Sequence, residues 1–335
     1  MGIAMQTPRA SRRGALKLVK TTGLDREDWL EVRKKGIGSS DAAAAVGLNP
    51  YQSALELWML KTGRDGGLPK VDPKDETSPM YWGTLLEPIV AAHYCRRTGH
   101  RVRRVNAVLQ HPEHPWMLAN IDREVIGAPD VQILECKTAG IQGARLWRDG
   151  VPEYVQLQVM HQLAVTGKQA ADVAVLLGGQ TLQIHRIERN ETMIAQLITL
   201  ERAFWDAVES DTAPAADGSD SADRALRALY PQDSGQCLDF AGDVEMNATF
   251  SDLQAIRHAL AQQDAQEAVL RHAIQQRMGE ATRAVFDTGE ISWKQAKASV
   301  SVDLAALRQA HPELVAQFMV SRPGARRFVV QQGKE

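Results

Sequence analysis

Cysteine is scarce in this sequence: the 335 residues hold three, Cys95, Cys136 and Cys237, far apart and odd in number. Without a CxxC pair, a zinc site or iron–sulfur cluster is not expected, and reduced thiols in a cytosol fit best. Long apolar runs are also missing. None approaches the roughly 18 residues that a membrane span requires, and the basic N-terminus lacks the apolar segment of a secretory signal. The expectation is a soluble, cytoplasmic protein. Charge of one sign is not in excess: 39 Lys and Arg face 41 Asp and Glu, a net charge of -2. That balance argues against a protein that coats nucleic acid nonspecifically, although a net value hides local fields. No internal repeat is present.

What is there suffices for a core. Apolar residues make up 44% and charged residues 24% of the chain, the balance of a folded protein. Basic residues cluster twice, with nine Lys/Arg against four Asp/Glu from Arg9 to Lys35, and with Arg96, Arg97, Arg101, Arg103 and Arg104. Either cluster can be read as a solvated face.

The layout divides into four parts: a loose basic arm (1–24), a core (25–209), a linker region (210–243) and a mainly helical accessory region (244–335). A helix is expected from Asp25 to Lys35, stopped by Gly36. Ser39 or Ser40 then caps an Ala-rich helix, and Ser53 with Glu56 reads as a capping box. A longer helix spans Tyr81 to Arg97. Strand-like runs follow at Val102–Leu109, Trp116–Ile126 and Val131–Lys137. Helices at 152–165 and 191–208 flank two further strands, Val173–Leu177 and Leu182–Ile187. This pattern is an α/β or α+β core with a mixed sheet and helices packed on it. Residues 210–223 are small, polar and acidic, as linkers are. Beyond Asp243 a helical run reaches about Gly279, and a strand–helix–strand piece ends near Val330.

The chemistry gathers at Val131-Gln-Ile-Leu-Glu-Cys-Lys137. Strand side chains alternate faces, so Glu135 and Lys137 share one face and Cys136 takes the other. A carboxylate to bind a cation and an ammonium to orient a water are the simplest use of such a pair; a plain salt bridge is the structural alternative. Asp72-Pro73-Lys74 repeats the spacing but sits in a loop. Asp122 ends a strand-like run, and a turn around Gly127-Ala-Pro129 would return the chain antiparallel, bringing Asp122 beside Glu135. Two adjacent carboxylates repel unless a cation or proton lies between them, and Mg²⁺ favours such oxygen ligands. Asp130 is a secondary candidate placed at the turn. Glu87 shares a helical face with Gly83 and Ala91. Tyr154, Gln158 and Gln162 recur every four residues and form a polar stripe suited to phosphate or sugar contacts, or simply to solvent.

Taken together, Arg33 followed by GIGSSDAAAAVG (36–47), GTLLEP (83–88), Asp122, ECK (135–137) and VPEYVQLQVMHQLAVTG (151–167) resembles the YqaJ-type viral recombinases. These form a lambda-exonuclease-like branch of the PD-(D/E)xK nuclease superfamily, and the resemblance spans about residues 25 to 208. It implies a Mg²⁺-dependent exonuclease, with Mn²⁺ as a substitute, that digests the 5′ strand at double-stranded DNA ends and leaves a 3′ single strand. It also implies a trimeric ring and hand-over of product to a single-strand annealing protein. Carried onto this chain, Asp122, Glu135, Glu87 and the Cys136 carbonyl hold metal, and Lys137 positions the attacking water. Arg33 and Ser40 hold the terminal 5′-phosphate, and Gln158 matches a polar position of the following helix. Arg33 offers phosphate a planar fork, and Ser40 adds a hydroxyl near a helix N-terminus. The sequence departs from the family at Asn120, where a small residue such as serine is expected in the phosphate pocket, and at Ile121, where proline usually precedes the metal-binding Asp. The last 90 residues lie outside the core resemblance, though motifs such as Ser292-Trp293-Lys294 and His311-Pro312-Glu313-Leu314 accompany some phage-type members. Two other functions stay open: a structure-specific or single-strand endonuclease, and a catalytically silent DNA-end-binding protein.

Overall fold

Alternating apolar residues between positions 101 and 139 do form strands, but the strands belong to two sheets. The computed structural model describes residues 14–70, 72–321 and 324–331, in two units, Met1–Pro231 and Gln232–Glu335. In the first unit the strands are β1 (Leu16–Lys20), β2 (Ile37–Gly38), β3 (Arg101–Arg104), β4 (Ala107–Gln110), β5 (Met117–Ala119), β6 (Arg123–Ile126), β7 (Ile133–Ala139), β8 (Ala170–Leu177) and β9 (Thr181–Glu188). Its helices are α1 (Arg26–Lys34), α2 (Ala42–Ala45), α3 (Ala54–Lys61), α4 (Pro79–Thr98), α5 (Glu153–Thr166), α6 (Glu191–Glu209) and α7 (Asp220–Leu229).

One sheet runs β1-β4-β5-β2 and the other β3-β6-β7-β8-β9. In the larger sheet β7 and β8 are parallel and every other neighbour is antiparallel. A parallel pair needs a crossover, and α5 supplies it. The expected mixed sheet flanked by helices is thus present. The run 102–109 is broken at Val105-Asn106 and 116–126 at Asn120-Ile121-Asp122, and each break moves the chain from one sheet to the other.

Alternation along β7 divides the core. Leu134 packs with Val90, Ala91 and Tyr94 of α4, while Ile133 joins Val159, Leu163, Val173 and Leu197 beneath α5 and α6. Full burial of aliphatic side chains such as these contributes about 1.5–3 kcal/mol each. Parity then fixes the rest: Glu135 and Lys137 lie on the α5 side and Cys136 on the α4 side.

Several expectations are corrected. Residues 16–20 of the basic arm form β1, paired antiparallel with β4; positions 1–13, with Arg9, Arg12 and Arg13, lie outside the described residues. Neither Ser39 nor Ser40 caps the Ala-rich helix with its side chain: a short 3-10 turn over Ser39–Asp41 leads into α2, and the Asp41 carboxylate accepts from the Gly38 N–H at 3.0 Å. Gly36 ends α1 and also allows a close approach. A Cβ there would lie 2.5 Å from the Trp116 carbonyl oxygen, which accepts the Ile37 N–H at 2.7 Å.

The linker expected at 210–243 contains α7, which docks on α3. Ser221 Oγ accepts the Ser53 N–H at 2.8 Å and donates to Glu56 at 2.7 Å. Ser53 does cap α3, accepting from the Glu56 N–H at 3.1 Å, but the Glu56 carboxylate turns to Ser221 and Arg224 instead of closing a capping box.

The second unit begins with the long helix α8 (Val244–Met278), as expected past Asp243. The strand–helix–strand expectation fails here. A hairpin of β10 (Arg283–Phe286) and β11 (Gly289–Ser292) is followed by two helices, α9 (Leu304–Ala310) and α10 (Pro312–Gln317). Among the described residues, no helix is long and apolar enough to cross a membrane.

Candidate functional site

The antiparallel pairing of β6 with β7 matches Arg123 to Leu134 and Glu124 to Ile133. One step further, beyond the end of β6, Asp122 faces Glu135. Strand β7 outruns β6 there, and the ladder bond β6 would have made is replaced by a side chain: Asp122 Oδ2 accepts the Cys136 N–H at 2.8 Å. Backbone pairing thus places two carboxylates together, as the turn at 127–129 suggested.

Glu135 is only 3% exposed and heavily bonded. Lys137 Nζ lies 2.8 Å from its Oε1, Gln158 Nε2 donates to Oε1 at 2.6 Å, and Gln162 Nε2 donates to Oε2 at 2.7 Å. Gln158 also accepts from Lys137 Nζ at 2.8 Å, which closes a triangle. Burial opposes the Lys137 charge, but Glu135 and Asp122 more than offset it, so its pKa is raised and it stays an ammonium. Asp122 behaves oppositely. Burial first, then the Glu135 and Glu87 charges, push its carboxyl up to about 8 against the Cys136 N–H and Lys137. Carboxylates crowded in this way hold a proton near neutrality unless a cation takes its place. A hard divalent cation would meet oxygen donors here, with phosphate oxygens to complete its shell.

The other candidates separate. Glu87 on α4 adds to the charge felt by Asp122, but its carboxylate is paired with Arg123 Nη1 at 2.5 Å. Among the described residues no cluster of three or more His, Cys, Asp or Glu is set to hold a metal; the carboxylates that the backbone brings side by side are Asp122 and Glu135, while Glu87 is engaged by Arg123. Asp130, the secondary candidate at the turn, faces Arg186 at 3.1 Å. Asp72 accepts the Lys74 N–H in a local turn, so that triplet is no site.

The polar stripe on α5 does not face outward. Gln162 is fully buried and binds Glu135, so it supports the carboxylate and does not reach a DNA backbone. Tyr154 packs edge-on to the exposed Tyr51, ring centroids 5.7 Å apart, and feels the Lys137 charge. Asn120 Nδ2 lies 3.4 Å from the Ala107 carbonyl, and its own carbonyl accepts from Gln162 at 3.3 Å and Ser39 at 3.4 Å.

Arg33 and Ser40 do come together: Arg33 Nη2 donates to Ser40 Oγ at 2.8 Å, and the guanidinium lies 4.9 Å from the Trp29 ring centroid. Their neighbours were not legible from spacing. Asp41 bonds Arg33 Nη2 through Oδ1 and accepts Lys61 Nζ at 2.7 Å through Oδ2. Also unforeseen is His161, buried one residue before Gln162. Its Nδ1 lies 2.7 Å from Glu201 and its Nε2 2.9 Å from the Leu118 carbonyl. The only signal for it was its place inside the 151–167 motif.

Comparison with known proteins gives the family of the chain. Residues 28–169 match the family described as the YqaJ-like viral recombinase domain. The uncharacterized protein YqaJ of Bacillus subtilis (strain 168) is 33% identical over 302 residues, covering 89% of this chain and 92% of the relative. Among solved structures, an alkaline exonuclease (LHK-Exo) from Laribacter hongkongensis is similar with a TM-score of 0.45 and 24% identity over 56% of this chain and 94% of its own. A phage-related exonuclease from Haemophilus somnus 129PT gives a TM-score of 0.37 and 10% identity, over 55% of this chain and 99% of its own. With a third of its residues shared along nearly the whole of YqaJ, and its acidic pair inside the matched domain, this chain belongs to the YqaJ-like viral recombinase family.

Proposed function

We propose that this chain is a Mg²⁺-dependent deoxyribonuclease that resects double-stranded DNA ends in the 5′ to 3′ direction. The observation that carries the reading is Asp122, just before β6, beside Glu135 on β7, with the Lys137 ammonium against Glu135. Asp122 and Glu135 would hold the cation. The Cys136 carbonyl would assist them, since a strand residue's N–H and C=O point to the same edge and its N–H already meets Asp122. Bound there, Mg²⁺ supplies Lewis-acid activation of a water and of the scissile phosphate. Lys137, fixed by Glu135 and Gln158, keeps a donor for the water or a phosphate oxygen. Because it stays charged, it acts as a donor and not as a base. Arg33 and Ser40 would take the terminal 5′-phosphate and so set polarity.

Mn²⁺ should replace Mg²⁺, because both suit carboxylate and phosphate oxygens. A trimeric ring in the cytoplasm, passing its 3′ strand to a single-strand annealing protein, completes the reading by family likeness. The test is degradation of linear duplex with 5′-phosphate ends against closed circles, with Mg²⁺ or EDTA. Loss of linear duplex only, and only with metal, is expected. Cut circles would favour an endonuclease, and equal activity in EDTA would reject the reading.

A further inference from the structure

Arg33, Asp41 and Lys61 form a cluster whose charges do not cancel: two cations share one carboxylate. Asp41 is 8% exposed and Lys61 5% at the side chain, whereas Arg33, at 24%, is the member that reaches solvent. The carboxylate is saturated. Oδ1 takes Arg33 Nη2, with Ser40 Oγ at 3.4 Å, and Oδ2 takes Lys61 Nζ at 2.7 Å and the Gly38 N–H at 3.0 Å. Lys61, the last residue of α3, also donates to the Arg33 carbonyl at 2.8 Å, so it holds the backbone that carries the guanidinium. The backbone closes the inner side: a Cβ on Gly38 would sit 3.2 Å from Asp41 Oδ2 and 3.5 Å from Arg33 Nη2.

Burying an ammonium is costly unless a strong partner compensates it, and here burial lowers the Lys61 pKa against the pull of Asp41. Structural support alone would be met more simply by an Arg33–Asp41 pair. That pair would be neutral, however, and its carboxylate would lie beside any anion approaching Arg33. With Lys61 the cluster carries one net positive charge, and the charge emerges at Arg33.

We infer that Lys61 is a positioning residue that offsets Asp41 from the buried side, leaving the Arg33 guanidinium cationic toward a terminal phosphate and thereby setting the preference for 5′-phosphorylated over 5′-hydroxyl ends. The inference rests on the reading that Arg33 and Ser40 hold that phosphate. An anion next to a net positive pocket gains a charge-assisted hydrogen bond, worth on the order of tenfold or more in affinity; next to a neutral pair it gains much less.

The experiment uses the full chain in EDTA, so that nothing is cut, and a fluorescein-labelled blunt duplex carrying either 5′-phosphate or 5′-hydroxyl ends. Anisotropy titrations give the ratio of the two Kd values. Wild type should prefer the phosphate by on the order of tenfold. Lys61→Met should lower the preference to about twofold or less. Lys61→Gln, which keeps a donor for the Arg33 carbonyl but not the charge, should do the same and serves if the Met variant melts. The double variant Asp41→Asn with Lys61→Met removes both buried charges and leaves Arg33 uncompensated, so the preference should return. A purely structural Lys61 would give no such return. Preference retained in Lys61→Met or Lys61→Gln, or a double variant no better than the single one, overturns the role of Lys61 while the pocket stands. A wild type that binds both ends equally overturns the pocket reading, and this inference with it.

Discussion

Gln162 donates its side-chain N–H to Glu135 Oε2 at 2.7 Å from a position with no solvent exposure. A carboxylate bonded from the core side has its orientation set by α5 before any substrate arrives. Outer partners of this kind typically change activity by 10–100-fold when removed. Gln162→Leu, close in volume, should therefore lower the rate of duplex degradation by at least about tenfold. The melting temperature should move little compared with Leu163→Ala in the adjacent core. Unchanged activity in a folded Gln162→Leu protein would show that the bond is dispensable.

The raised proton affinity of Asp122 has two consequences of definite sign. Between the unfolded carboxyl value of 3.8 and about 8, the metal-free native state holds a proton that the unfolded chain has released. Stability without metal should consequently fall as pH rises through that window, and Asp122→Asn should flatten the slope. Divalent cations must displace the proton, so their apparent affinity should climb up to about pH 8 and then level off. Melting curves in EDTA and Mn²⁺ titrations across pH 5.5–9 (roughly two units below the turning point to one above) test both.

His161 contributes a second pH-dependent term. Nε2 meets the Leu118 carbonyl and so donates to it; with Glu201 ionised, Nδ1 donates as well and the ring carries a charge. Burial opposes that charge, but Glu201 and the Leu118 carbonyl more than offset it, and the pKa is raised above the ordinary 6.5. The stability this contributes is complete below 6.5 and lost as pH passes the higher folded value. His161→Gln, which can donate to only one of the two acceptors, should lower the melting temperature most at acid pH, with the difference narrowing as pH rises. A constant difference across pH would argue for a neutral ring.

Gly36 is a steric requirement. A methyl group there would meet the Trp116 carbonyl at 2.5 Å and Leu118 Cγ at 2.9 Å. Since that carbonyl already accepts the Ile37 N–H, relief means separating β2 from β5. Gly36→Ala should cost about 1–3 kcal/mol by denaturant unfolding, as overpacking does. An unaltered midpoint would mean that the turn relaxes freely.

Much of this was legible in residue order, for reasons that also mark the limit. Period-two alternation assigned Glu135 and Lys137 to one face, and a Gly-Ala-Pro turn implied the antiparallel return that sets Asp122 beside Glu135. The spacing of Gln158 and Gln162 identified a shared face of α5 but not its direction, because i, i+4 recurrence is the same for a stripe in water and for one binding a buried carboxylate. Lys61 and Asp41 are 20 residues apart on different helices, and nothing local distinguishes that lysine from an ordinary C-terminal helix cation. The division into two sheets was also hidden, since only two or three residues separate strands that pair in different places. Residues 220–229 looked like linker because their apolar side chains are mostly alanine, and their docking rests on Ser221 and Glu56 far away in sequence.

The passage of the chain through β5 acts as a ruler. Its first end lies in register with Ile37 and Gly38, next to the Arg33 cluster, and its far end leads within three residues to Asp122. Ser39 Oγ and Gln162 both reach the Asn120 carbonyl, at 3.4 and 3.3 Å, and steady the interval between. The interval from the Arg33 cluster to the acidic pair thus runs through β5 and the short turn at Asn120–Asp122, which these bonds hold. If a terminus sits at Arg33 as proposed, it would meet the carboxylates at one offset, which favours fragments of uniform size over a ladder of lengths.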